Sequence, residues 1–158
     1  MAVVILIHRG PDLRSELARL FSRITKLPVH DVYDKEEIKP GAVYVAPLQY
    51  HLLAEPEKYW SLDASDPVWY CRPAIDVLFE SIADVYKDRA IGILLSGANR
   101  DGAYGLKRMK EKGALTIVQS PDDSDYRAMP EAALELDKEH RKMKPGEILE
   151  FCKNLREM

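Results

Sequence analysis

A chain of 158 residues, 46% hydrophobic and 31% charged, is long enough for one ordinary domain with its own core and too rich in apolar side chains for a disordered segment. Its net charge of −3 gives no general attraction to nucleic acid or anionic lipid, so neither is expected as a partner. No apolar run approaches the roughly 20 residues that cross a bilayer, the first ten residues make a poor signal peptide, and two cysteines without C-x-x-C spacing suit a reducing compartment, so a cytoplasmic location without membrane insertion is expected.

Residues 2–7, "AVVILI", are uniformly apolar and predict a parallel strand covered on both faces; the run stops abruptly on His8. Leu13, Leu17, Leu20, Phe21 and Ile24 then recur at helical spacing, and a short strand is expected at Val29–Tyr33. In "KPGAVYVAPLQYHLLAEP" the Pro40-Gly41 turn, an extended Val43–Ala46 and a second extended piece at His51–Ala54 predict an inserted hairpin. Pro73 suits a first helical position, ahead of a helix with Ile75, Leu78, Phe79, Ile82 and Tyr86 on one face. The apolar strand Ala90–Leu95 runs into "SGANRDGAYG". After it come a helix at Ala103–Glu111, a strand at Ala114–Gln119 and two closing helices at Pro130–Lys138 and Pro145–Leu155.

Strand and helix in alternation imply a largely parallel sheet with right-handed crossovers, and in such sheets functional groups gather where strands end. Two places qualify. His8 follows the first strand, as a proton-exchanging group beside the expected cleft or as a plain loop histidine. Asp101 lies in the glycine-punctuated loop Ser96–Gly105, where it either accepts from His8 Nδ1 and orients the ring or caps the helix that starts at Ala103. His30 falls in an edge strand, His51 at the start of a hairpin arm and His140 at a solvated helix end. No two of the four histidines have metal-ligand spacing, so neither a zinc site nor a cofactor is expected, and the glycines carry no phosphate-cradle pattern.

Five stretches, "VVILIHR", "KPGAVYVAPLQYHLL", "RPAIDVLFESIADVY", "GILLSGANRDGAYGLKRMKEKGALTIVQ" and "AMPEAAL", resemble in order the catalytic domain of the bacterial chemotaxis protein-glutamate methylesterases of the CheB type. The resemblance implies an α/β fold, modified doubly wound, with a mostly parallel sheet, helices on both faces and an inserted antiparallel hairpin. It also implies hydrolysis of glutamate methyl esters on the cytoplasmic helices of chemoreceptors, with release of methanol and in many members glutamine deamidation. That chemistry uses a serine, histidine and aspartate triad, and His8 and Asp101 fall on the last two positions. Ala98 falls beside the expected oxyanion donors, Met129 in the Met-Pro pair that lines the cleft, and Arg72 in the Arg-Pro pair, where it could hold a substrate carboxylate or be a surface cation.

The family's serine stands in a Gly-x-Ser-x-Gly-Gly turn one strand-helix unit before the histidine, and the 158 residues contain no such turn. Ser96, Ser15 and Ser22 are read as structural rather than as substitutes. Residues 1–158 are therefore expected to form one domain of this type, shortened at its amino terminus and without the phosphoacceptor receiver domain of the family's phosphorelay. Three functions compete: a methylesterase, a non-catalytic receptor-binding or regulatory module, and a hydrolase using Ser96 or a His8-activated water. Loss of a central strand would leave its neighbours to close together or to pair with another chain, as in a homo-oligomer.

Overall fold

The computed structural model describes residues 1–10 and 16–155. Its elements in order are β1 (Val3–Ile5), α1 (Leu17–Ser22), β2 (Val29–Asp31), β3 (Val43–Val45), β4 (His51–Ala54), β5 (Trp60–Asp63), α2 (Ile75–Tyr86), β6 (Ile91–Leu94), α3 (Ala103–Glu111), β7 (Leu115–Gln119), α4 (Ala128–Leu136), β8 (Arg141–Met143) and α5 (Pro145–Asn154). β1 and β2 flank β3 in one parallel sheet, and β6 and β8 flank β7 in another. β4 and β5 form a separate antiparallel pair, with Leu52 opposite Leu62. Among the described residues no helix is long and apolar enough to cross a membrane.

Two cores meet at α2. Tyr44, Leu52 and Trp60 pack with Leu78, while Leu94, Leu106, Val118 and Met129 pack with Ile75. Leu6, just past β1, touches both clusters and so fixes the chain immediately before His8. α3 lies close on β6 because Gly92 has no side chain: a Cβ there would stand 2.8 Å from Leu106 Cδ1 and 2.7 Å from Met109 Sδ.

Several expectations are corrected. The hairpin is present but shifted, since Val43–Val45 is the middle strand of a parallel sheet and His51–Ala54 pairs forward with β5 instead. β5 and β8 were not expected. β8 is a three-residue edge strand of Arg141, Lys142 and Met143, with the charged composition that protects exposed edges. β1 is half-buried rather than covered, and pairs only with β3 among the described residues. α1 has no buried residue, and Leu20 and Ile24 of its apolar stripe are exposed; Leu13 and Ser15 lie outside the described residues. Pro73 stands two residues before α2 rather than at its first position. β1 and β6 each end a sheet and do not pair with each other.

His140 is the clearest reversal. It is buried, because the β7–β8 pairing carries the residue before β8 against Thr116, whose Oγ1 lies 2.8 Å from His140 Nδ1. Burial pushes its imidazole pKa down, and Nε2 has no protein partner.

Candidate active site

His8 and Asp101, 93 residues apart in sequence, are in contact: His8 Nε2 donates to Asp101 Oδ2 at 2.7 Å. The ring therefore presents the opposite nitrogen from the one expected. With the proton on Nε2, the Nδ1 lone pair is the basic position. The imidazole is about a quarter exposed and Asp101 is fully buried.

What holds Asp101 is a helix start, and it is not that of α3. Oδ2 accepts the Ile75 N–H at 2.6 Å and Oδ1 the Asp76 N–H at 2.9 Å, the first two amides of α2. Ala74, at the N-cap of α2, has no side chain to offer, so the carboxylate from the neighbouring loop satisfies these orphan donors. His51 completes this end: its Nδ1 accepts from Ala74 N and its Nε2 donates to the Asp66 carbonyl, which fixes a neutral tautomer in a buried side chain.

α2 returns the arrangement. Asp76, buried in its first turn, accepts from Gly105 N at 2.7 Å in the first turn of α3 and from the Trp69 indole at 2.8 Å. Gly102, at the N-cap of α3, again has no side chain. Burial raises the Asp76 pKa and the charge of Asp101 adds to this, while the Gly105 and Trp69 donors oppose it.

Asn99 links two parts of the site. Its Oδ1 accepts from Asp101 N at 3.1 Å and its Nδ2 donates to Cys71 Sγ at 3.3 Å. Burial raises the Cys71 pKa; Asn99 opposes this and Asp101 reinforces it.

The other expected residues are placed less directly. Ala98 is exposed on the loop between β6 and α3. Met129 is buried under that loop, its Sδ 2.6 Å from where a Cβ on Gly97 would be, and its N–H donates to the Gly97 carbonyl. It is thus a packing residue supporting the loop. Arg72 Nη1 donates to the carbonyls of Ala64 and Ser65, both at 2.9 Å, so its guanidinium braces a neighbouring turn. Ser96 Oγ donates to the Tyr126 carbonyl and accepts the Tyr126 N–H, which ties its hydroxyl to the backbone. A groove of about 430 Å³ lies beside Asp76, lined by Trp69, Glu80, Arg100 and Tyr104 among others, but not by His8.

Sequence reasoning missed Cys71, Asp76 and Asn99 as neighbours of the pair. Only Asp76 left a signal, as an acidic residue in the first turn of a helix.

Known proteins share this architecture and these segments. The CheB methylesterase family model matches residues 1–151. A Leptospira interrogans protein is 44% identical over 133 residues, which is 84% of this chain and 69% of that protein. A Symbiobacterium thermophilum protein named protein-glutamate methylesterase/protein-glutamine glutaminase is 33% identical over 134 residues; the match takes in 85% of this chain but only 37% of that protein. The crystal structure of the Thermotoga maritima CheB methylesterase catalytic domain superposes with a TM-score of 0.85 at 30% identity, covering 96% of this chain and 82% of that one. The chain belongs to the CheB methylesterase family.

Proposed function

We propose that this chain carries the base and the orienting acid of a protein-glutamate methylesterase that hydrolyses glutamate methyl esters on chemoreceptor helices and releases methanol. The observation that carries this reading is the 2.7 Å contact between His8 Nε2 and Asp101 Oδ2. In the reaction His8 Nδ1 takes the proton of the attacking hydroxyl, and Asp101 stabilises the imidazolium that results. His8 then returns the proton to the leaving methoxide and activates water for the second half-reaction. Backbone amides around Ala98, on the loop that also carries Asp101, would be the donors for an oxyanion. Residues 1–158 hold no Gly-x-Ser-x-Gly-Gly turn, and Ser96 is occupied by Tyr126, so the attacking serine has to be supplied from outside these residues.

The test is methanol release from methylated receptor, measured with the 158-residue chain alone and with a strand-turn segment bearing Gly-x-Ser-x-Gly-Gly restored before it. Release by the restored form that falls at least about a hundredfold in His8→Gln supports the reading, given the usual contribution of a general base. Release indifferent to His8→Gln overturns it, and no release from either form favours the non-catalytic receptor-binding module.

A further inference from the structure

We propose that His8, Cys71 and Asp101 form a binding site for a borderline divalent cation such as Zn²⁺, and that an ion bound there holds the base inactive. One ligand atom from each of the three residues lies within 4.8 Å of the other two, a convergence that histidine spacing along the chain gave no reason to expect. Nitrogen, thiolate sulfur and carboxylate oxygen together are a donor set for zinc or cobalt, with a water in the fourth position.

The site needs only small movements. Zinc bonds of about 2.0–2.2 Å to nitrogen and oxygen at tetrahedral angles place those two atoms roughly 3.3 Å apart. The His8 ring therefore withdraws from Asp101 by about 0.6 Å from its 2.7 Å contact, towards its exposed side. Asp101 need not move, since the α2 amides anchor both of its oxygens. Cys71 is in a surface turn: Val68 and Cys71 are bridged, Trp69 and Tyr70 have φ of 51° and 61°, and Tyr70 is fully exposed. Asn99 Nδ2 already donates to the sulfur, the kind of outer hydrogen bond that steadies a thiolate ligand. The guanidinium of Arg72, the residue after Cys71, is turned to the carbonyls of Ala64 and Ser65.

Binding is balanced as follows. The ion takes the Cys71 thiolate, whose proton goes to solvent, and the His8 Nε2 lone pair, the ring proton moving through solvent to Nδ1. One proton is released per ion. With Nδ1 protonated and Nε2 coordinated, the imidazole can no longer accept a proton. The inhibitory consequence rests on the esterase reading, whereas the binding itself does not.

The probe is Co²⁺, titrated into the 158-residue chain in a Cys152→Ser background so that Cys71 is the sole thiol. The expected result is one equivalent bound, with a thiolate-to-cobalt charge-transfer band in the near ultraviolet and intense visible bands of a tetrahedral ion. Cys71→Ser should abolish the charge-transfer band. His8→Gln should weaken binding at least about tenfold, since even outer partners of metal ligands are worth 10–100-fold. Absence of the band in the parent, its survival in Cys71→Ser, or unchanged affinity in His8→Gln overturns the proposal; far-ultraviolet dichroism checks that each variant is folded. A cobalt band without any methanol release from the restored form leaves the metal site standing and removes the esterase reading.

Discussion

Replacing Asp101 by Asn separates two roles that a catalytic aspartate usually combines. In the folded chain its two oxygens accept Ile75 N, Asp76 N and His8 Nε2, and the side chain is fully buried. An amide keeps one acceptor and turns an N–H towards a group that is itself a donor. One buried backbone amide of α2 then lacks a partner, at about 1–3 kcal/mol. Removing the negative charge from the helix N-terminus adds roughly 0.5–1 kcal/mol. The sum is about 1.5–4 kcal/mol, a large part of the ~5–15 kcal/mol that holds a domain together. His8→Gln removes only the bond at the half-open side and leaves the α2 amides paired, so it should cost no more than about 1 kcal/mol. The assay is urea unfolding followed by far-ultraviolet dichroism. With a slope of roughly 2 kcal/mol per molar urea, the Asp101→Asn midpoint should fall by about 0.75–2 M and the His8→Gln midpoint by half a molar or less. Equal shifts in the two variants, or a shift below about 0.5 M for Asp101→Asn, would refute the capping argument and leave Asp101 with a partner's role only.

The Asp76 carboxyl, followed by carbon NMR, should titrate above its ordinary value of 3.8 in the folded chain. The folded state then binds more protons than the unfolded one between those two values, so this group's contribution to stability falls as pH rises through that window. His140 has the opposite consequence: its folded pKa lies below the ordinary 6.5, so stability should drop as pH falls below that value, and His140→Gln should flatten the slope measured by urea unfolding between pH 7.5 and 5.5. Gly105→Ala adds a helix former inside α3, which alone favours folding by about 1 kcal/mol. Its Cβ would, however, stand 2.8 Å from the Asp76 carbonyl oxygen, so a net loss of about 1–3 kcal/mol is expected in thermal unfolding. Gly97→Ala would meet the Met129 side chain along its length, at 2.4 Å from Cε, 2.6 Å from Sδ and 3.0 Å from Cβ, so a double-mutant cycle with Met129→Ala should show coupling of about 1 kcal/mol or more.

The elements legible in the chain are those whose cause is local. α3 begins and ends where Gly102 and Gly113 take positive φ, and the apolar run Ile91–Leu94 needs no distant partner to be read as a strand. β5 and β8 escaped because their pairing is decided elsewhere. Trp60–Asp63 is a strand because β4 lies opposite it, and Arg141–Met143 because it lies along β7. The exposed stripe of α1 shows the converse, since apolar spacing describes a helix face without saying what covers it. At the site, the position of both residues at strand ends already allowed His8 and Asp101 to be paired, and the resemblance chose that reading over a helix cap. The ring orientation, the reciprocal caps and Cys71 depend on the crossing of α2 and α3 and left no pattern along the sequence.

Why two buried carboxylates can share one corner of this protein follows from that crossing. Each lies against the amino-terminal amides of the other's helix: Asp101 precedes α3 and caps α2, while Asp76 begins α2 and caps α3. Each helix start carries about half a positive charge, which offsets the repulsion between the two acids. The arrangement requires the helices to approach until backbone meets backbone, which is why residue 105 is a glycine. It also means that the acceptor for His8 is positioned by two rigid helices rather than by the loop that carries it. Side chains in that loop, at Ala98 and Asn99, can therefore vary while the carboxylate stays where the imidazole needs it.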